Sequence, residues 1–194
     1  LATWIYGRKL AEAQCFFLSE IPAGSHVLVV GGGTGWVISE MKKQVTDLSI
    51  TFVEASHQML NKAKAHSNEQ VEFVFQDGTW QPKPDQYDVV FTAFFLDVFP
   101  QPFAESQISM LDSSLKPGGL WIYTDFQLAI GGYRKWSAWL IRIMYTFFRT
   151  FNALSACKLP EIDHSFNQND LRIMKSKDFL QGLLTTRIYV RGTQ

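Results

Sequence analysis

An unbroken apolar run, Val27-Leu28-Val29-Val30, leads directly into Gly31-Gly32-Gly33-Thr34-Gly35 and then Trp36. No other stretch of the chain leaves so few ways to fold. A strand over His26 to Val30 has no polar alternation, so both of its faces must be buried, as in a parallel sheet covered by helices. A glycine-rich turn entering a helix lets backbone amides approach a ligand with no Cβ in the way. The same alternation then repeats downstream. Trp36 to Lys43 reads as a helix, and Leu48 to Val53 as a strand closed by Glu54. Ser56 reads as the N-cap of a helix running to about Ala65. Val71 to Phe75 is a third strand, followed by an Asp77-Gly78 turn, and Tyr87 to Ala93 is a fourth, entered through Pro82 and Pro84. A helix from about Pro102 to Leu115 precedes a Lys116-Pro117-Gly118-Gly119 turn and a fifth strand, Leu120 to Asp125.

Strands alternating with helices specify an α/β fold, a parallel sheet with helices on both faces and right-handed crossovers. The end of the chain breaks that rule. Leu171 to Phe179 and Leu183 to Val190 flank Gln181-Gly182 and read as an antiparallel hairpin. Residues 4 to 20 read as one further helix, ended by Pro22-Ala23-Gly24. A single domain accounts for all 194 residues, with a helical cap-like insertion at about 127–168.

Charge and cysteine content narrow the partners. The 18 basic and 18 acidic residues cancel, so no nucleic-acid partner is expected. Cys15 and Cys157 have neither metal nor redox spacing, and a reducing cytoplasm is the default. No signal peptide is expected, because Arg8, Lys9, Glu12 and Glu20 interrupt the first residues. The apolar stretch Trp136 to Leu154 is broken by Arg142 and Arg149, so no transmembrane segment is expected there.

Spacing decides which ligand the glycine run suits. The dinucleotide fingerprint needs a small residue at position 36, which is Trp36, and counting from Gly32 puts Thr34 on a required glycine. The phosphate loop needs a Gly-Lys-Ser/Thr ending, and here Trp36 and Val37 follow Gly35. Gly31, Gly33 and Gly35 do satisfy G-x-G-x-G. Glu54 then ends the second strand, at the sheet edge where open α/β folds bind ligands, and its carboxylate can accept two hydrogen bonds from a ribose diol. Asp77, in Gln76-Asp77-Gly78-Thr79, stands at the end of strand three, where a carboxylate or its neighbouring amides can read an adenine. Taken singly, a glycine turn, a helix-entry acid and an Asp-Gly turn each have a purely structural explanation. Their convergence on one edge points to a cofactor.

These residues resemble the class I S-adenosylmethionine-dependent methyltransferases. VLVVGGGTG is similar to the family's first motif, VEASHQML to its second-strand segment, FQDGTW to its adenine-binding turn, and LKPGGLWIYTDF to the motif opening its fifth strand. Among subfamilies, the small ubiquinone/menaquinone-type enzymes look nearest. The resemblance implies a Rossmann-like, mostly parallel seven-stranded sheet ending in that antiparallel hairpin. It implies S-adenosylmethionine as cofactor, held by Gly31, Gly32, Gly33, Thr34, Gly35, Glu54, Ala55, Asp77, Gly78, Thr79 and Ala93. One departure stands out: the family often carries an acid two residues before its first motif glycine, to hold the loop or the methionine part of the cofactor, and this chain has Val29.

The chemistry implied is an in-line displacement at the sulfonium methyl, in which the protein orients and desolvates partners already activated. No metal is expected, because no His, Cys, Asp or Glu cluster has ligand spacing. The acceptor is expected beyond strands four and five, at the apolar turn Phe94 to Phe99, with Phe94, Tyr133 and Arg134 as substrate contacts. The turn lacks the Asn/Asp-Pro-Pro-aromatic motif of the enzymes acting on adenine N6 or glutamine N5. The catalytic residue is open: Asp97 is a base, an orienter or a helix-capping acid, and His164 is a lone loop histidine. Trp136, Trp139, Ile143, Phe147 and Phe151 recur at helical spacing, either to pack on the sheet or to cover a small apolar or aromatic acceptor, and the same face suits a homodimer. Two other readings compete: a non-catalytic cofactor-binding module with the same fold, and another nucleotide-dependent enzyme such as a dehydrogenase, against which Trp36 counts.

Overall fold

The computed structural model describes residues 2–65, 71–127, 160 and 162–193. The chain runs α1 (Ala2–Cys15), β1 (His26–Val30), α2 (Trp36–Gln44), β2 (Ser49–Glu54), α3 (His57–Ala65), β3 (Val71–Phe75), β4 (Tyr87–Ala93), α4 (Gln101–Ser114), β5 (Leu115–Phe126), α5 (Ile162–Gln168), β6 (Leu171–Phe179) and β7 (Leu184–Arg191). Among the described residues, seven strands form one sheet in the order β3-β2-β1-β4-β5-β7-β6. The first five are mutually parallel. β7 runs antiparallel to both β5 and β6.

The order reverses at β1. The chain steps outward to β2 and β3, then returns to place β4 on the other side of β1. Because crossovers keep one hand, the reversal moves the connecting helices to the opposite face. Val27, Val29, Ile50, Phe52, Val89, Phe91 and Ile122 accordingly pack against Val37, Ile38 and Met41 of α2 and Leu60 and Ala63 of α3. Leu28, Val30, Val90, Trp121, Tyr123 and Tyr189 pack against Ala104, Ile108 and Leu111 of α4 and Ile162 and Phe166 of α5. Residues 27 to 30 of β1 are buried on both faces, as their continuous apolar run requires. No helix among the described residues is long and apolar enough to cross a membrane.

Several boundaries depart from the sequence expectation. The first helix stops at Cys15 instead of continuing to residue 20, and a single 3₁₀ turn, Leu18–Glu20, follows. The break delivers Phe17, Leu18 and Ile21 into the core, and that burial outweighs continued helical hydrogen bonding. Lys116 to Gly119 is a bulge inside β5 and not a turn before it. Tyr87 pairs with Leu115 and Val89 with Leu120, so the extra residues loop out while both ends stay in the ladder. His164 lies in α5, where a loop was expected. The hairpin forms as expected, through Leu180, Gln181 and Gly182, all at positive φ. The aromatic stretch 136–151 and most of the cap-like insertion lie outside the described residues.

The centre of the α4-side layer is Trp121. It is 0% exposed, meets Phe166 edge-on at 4.8 Å, and donates through Nε1 to Thr92 Oγ1 at 2.9 Å. Trp121→Ala is expected to destabilise the protein by about 3–5 kcal/mol, the cost of a large buried cavity. Urea unfolding checks this, and a loss below about 1 kcal/mol contradicts the packing described.

Candidate functional site

The reversal at β1 sends the connections that follow β1 and β4 to opposite faces, and the glycine run occupies that edge. Gly31 N still donates to Val53 O at 2.9 Å, continuing the ladder, and Gly35 N donates to Gly32 O at 3.1 Å, closing the turn. The glycines do different jobs. A Cβ on Gly32 would lie 2.2 Å from the Phe52 ring, and one on Gly35 would lie 2.7 Å from Ala63, so these positions let β2 and α3 pack under the loop. Gly33 has φ of 59° and a Cβ there would meet nothing within 4 Å. It therefore faces open space at the sheet edge, where a ligand can approach the backbone.

Glu54 ties this loop to the second strand. Its Oε2 accepts from Gly33 N at 3.0 Å and its Oε1 from Ser56 N at 2.8 Å. A carboxylate offers about four acceptor positions, so it retains capacity for a diol. Val29, where the family often has an acid, is fully buried in the α2-side core. The loop amide is held from Glu54 instead. Ala55 is exposed beside it.

The turn after β3 lies alongside, because Gln76 N donates to Glu54 O at 3.0 Å. Asp77 Oδ1 accepts from Thr79 N at 2.8 Å and from Thr79 Oγ1 at 2.6 Å, which holds the carboxyl below its ordinary range. Gln76 Oε1 accepts from Gly78 N at 2.9 Å. His57, the first residue of α3, stacks flat on Phe75, the last of β3, with ring centres 3.6 Å apart. Gly31 to Gly35, Glu54 and Asp77 thus converge on one edge. A separate concavity of about 500 Å³, lined by His26, Thr51 and Glu72, lies at the opposite, amino end of the strands. The glycine loop does not contribute to it.

Beyond β4 the chain turns sharply. Ala93 pairs with Thr124 of β5, and Phe94, at φ of 53°, donates its amide to Thr124 O at 2.8 Å. Phe95 covers Gly31, where an added Cβ would be 2.6 Å from its ring. Phe95, Phe99 and Phe103 form a ladder with centroids 5.1 and 4.7 Å apart. Asp97 is 1% exposed, and Pro100, not Asp97, is the N-cap of α4. His164 is exposed on α5 and bonds Gln168 at 3.0 Å. Tyr133 and Arg134 lie outside the described residues. Among the described residues, no group of three or more His, Cys, Asp or Glu is placed to hold a metal ion.

Sequence reasoning missed three features here. Phe95 and the His57–Phe75 stack left no signal, since an aromatic near a strand end is ordinary core. Asp125 had one: it is an acid in an otherwise uncharged strand segment, Leu120 to Phe126. It is fully buried and accepts amide hydrogen bonds from the turn after β4.

A doubly wound sheet with this strand order, a glycine loop over the switch point and acids ending β2 and following β3 defines the methyltransferase type of Rossmann-like fold. Comparison with known proteins agrees. The family described as "Methyltransferase domain" matches residues 27–119. The malonyl-[acyl-carrier protein] O-methyltransferase 2 of Ilyobacter polytropus is 28% identical over 122 residues, covering 61% of this chain and 46% of its own. The chain therefore spans less than half the length of that relative. An S-adenosylmethionine-dependent methyltransferase from Mesorhizobium loti superposes with a TM-score of 0.65 at 14% identity, covering 94% of this chain and 100% of its own. The [4+2]-cyclase SpnF superposes at 0.71 and 14% identity, covering 95% and 82%. Residues 27–119 thus match the methyltransferase-domain family, and the chain has the fold of the class I S-adenosylmethionine-dependent methyltransferases. S-adenosylmethionine is the cofactor this match implies, and the open face of Gly33 beside the Glu54 carboxylate fits it.

Glu54→Gln tests the carboxylate's local role. Both oxygens now accept amide protons, whereas an amide has one acceptor oxygen and turns its NH₂ against either Gly33 N or Ser56 N. A loss of about 1–3 kcal/mol is expected from urea unfolding. An unchanged midpoint would show that Glu54 does not hold the loop.

Proposed function

We propose that the protein transfers the methyl group of S-adenosylmethionine to a small apolar or aromatic acceptor by in-line displacement. The observation that carries this reading is the bridge from Glu54 to Gly33, which places an acceptor-rich carboxylate next to an unobstructed loop backbone. On this reading Glu54 binds the ribose diol, the amides of residues 31 to 35 face the methionine portion, and the turn of Asp77, Gly78 and Thr79 takes the adenine. Bound cofactor supplies an activated methyl group. The chain itself positions the acceptor and excludes water. Phe94, Phe95 and Phe99 make the wall beyond β4 apolar, which supports an apolar or aromatic acceptor. Tyr133 and Arg134 are proposed as further acceptor contacts.

Asp97 remains the candidate orienter and His164 the more remote one. Asp97 is buried and its amide is tied to Asp125, which favours orientation over general-base work. One second reading has a specific observation behind it. The Ilyobacter polytropus relative is named for O-methylation of a malonyl group on acyl-carrier protein, so a carboxylate acceptor is its counterpart here. A non-catalytic module with the same fold is the alternative from a different class. SpnF, a cyclase by name, superposes on this chain, so the fold alone does not dictate methyl transfer.

S-adenosylhomocysteine at about a hundred times its Kd is expected to stabilise the protein by about 2.7 kcal/mol, or roughly 5–10 °C for a chain of this size. Gly33→Val and Glu54→Ala are expected to abolish the shift. No shift of wild-type protein at about millimolar ligand sinks the proposal. A shift without turnover across apolar, aromatic and carboxylate acceptors favours the binding module.

A further inference from the structure

Asp97 lies in the turn after β4 and Asp125 near the end of β5, and the two acids lace these segments together. Asp125 Oδ2 accepts from Leu96 N at 3.1 Å and from Asp97 N at 3.3 Å. The backbone of Asp97 therefore lies against the Asp125 carboxyl, and the two buried acids interact electrostatically. Asp97 is 1% exposed and Asp125 0%. Two neighbouring carboxylates away from water repel strongly when both are ionised, which favours the form in which one of them keeps its proton.

The turn under this pair shapes the site. Phe94 is held at φ of 53°, a conformation that costs a bulky residue energy and persists only where its surroundings impose it. Its neighbour Phe95 rests on Gly31, so any slackening of the turn reaches the glycine loop.

We propose that Asp125 is a positioning residue: with Asp97 it forms a proton-sharing latch that pins the turn after β4, and loss of the shared proton loosens Phe94 and Phe95 and weakens cofactor binding. The last link rests on the cofactor reading above. The latch itself rests on the two amide bonds to Asp125 Oδ2 and on the burial of both acids.

Other charged and titratable groups near the pair are Tyr123 on β5, Arg187 and Tyr189 on β7, and Asp163 on α5. Arg187 is already engaged by Asp163, by Tyr189 Oη and by Gln127 Oε1, so its charge is largely committed elsewhere. Burial pushes both carboxyls above the ordinary carboxylate range, and charge on Asp97 raises Asp125 further. Because the folded-state values are raised, the latch contributes fully at pH below the unfolded carboxylate value. Its contribution declines as pH rises through the folded values, when the proton leaves to solvent.

The test follows hydrogen exchange of the Leu96 and Asp97 amides, corrected for intrinsic rates, alongside S-adenosylhomocysteine affinity by calorimetry, from about pH 6 to about pH 9. In wild-type protein, amide protection and affinity are expected to fall together by about tenfold or more, the equivalent of one pKa unit of linkage. Asp125→Asn can accept both amides through its carbonyl and donate to Asp97 through its NH₂. It is expected to keep the protection and lose the pH dependence, and Asp97→Asn likewise. Asp125→Ala is expected to lose protection at every pH. Should the alanine variant fail to fold, the asparagine variants still decide the matter. A flat wild-type amide profile, or an Asp125→Asn profile that follows wild type, overturns the latch. The expected amide profile with no ligand binding at any pH overturns the cofactor reading and its coupling to the turn, while the latch stands.

Discussion

β1 is the strand on which the architecture turns. It is bonded to β2 on one side and β4 on the other, and it is covered by a helical layer on each face. With both edges and both faces occupied, it can carry only apolar residues, and Val27 to Val30 are all buried. The reversal of strand order at β1 then has two consequences. It sends α2 and α3 to one face and α4 to the other, and it parts the connections that leave the carboxyl ends of β1 and β4. A loop emerging there can be approached by a ligand from outside the sheet. The glycine run is placed by this constraint before any of its own chemistry matters.

Within that edge, the loop is shaped from below by packing and from the side by a carboxylate. Phe52 and Ala63 fill the spaces that side chains on Gly32 and Gly35 would need, so the loop lies close on β2 and α3. Glu54 then takes the Gly33 amide. This accounts for a chain that lacks the family's acid before the loop. Val29 packs in the core beneath Gly32, and the acid at the end of β2 holds the loop while retaining acceptor positions for a ribose. A single carboxylate thus holds the loop, and on the proposed reading the same group recognises the cofactor.

On the proposed reading the same edge has an acceptor side. There the turn after β4 is held by Asp125, a residue from the neighbouring strand, and its aromatic residues form the wall next to Gly31. Cofactor loop and acceptor wall are in contact through Phe95, so changes in one are transmitted to the other by packing. That coupling is a property of the β4–β5 pairing and not of either segment alone.

How much of this was legible from residues depends on the range of the interaction. The strands of the parallel sheet, α2, α3 and the final hairpin follow from local patterns: uninterrupted apolar runs, the glycine turn and Ser56. The convergence of the candidate cofactor residues follows as well, because Gly31 to Gly35, Glu54 and Asp77 each sit at a strand end and a parallel sheet brings strand ends to one edge. The break at Cys15 was not legible, since the drive to bury Phe17, Leu18 and Ile21 comes from a core assembled elsewhere. The bulge at Lys116 to Gly119 looked like a turn because its pairing partner, Tyr87, is distant in sequence. Asp97 could not be assigned from its neighbours either, because its environment is set by Asp125, 28 residues away. Periodicity and glycine spacing, which act within a few residues, determined the fold class and the cofactor edge. Only the tertiary structure decided which side chains meet across that edge, because burial, shared protons and close approach depend on segments that become neighbours only when the sheet assembles.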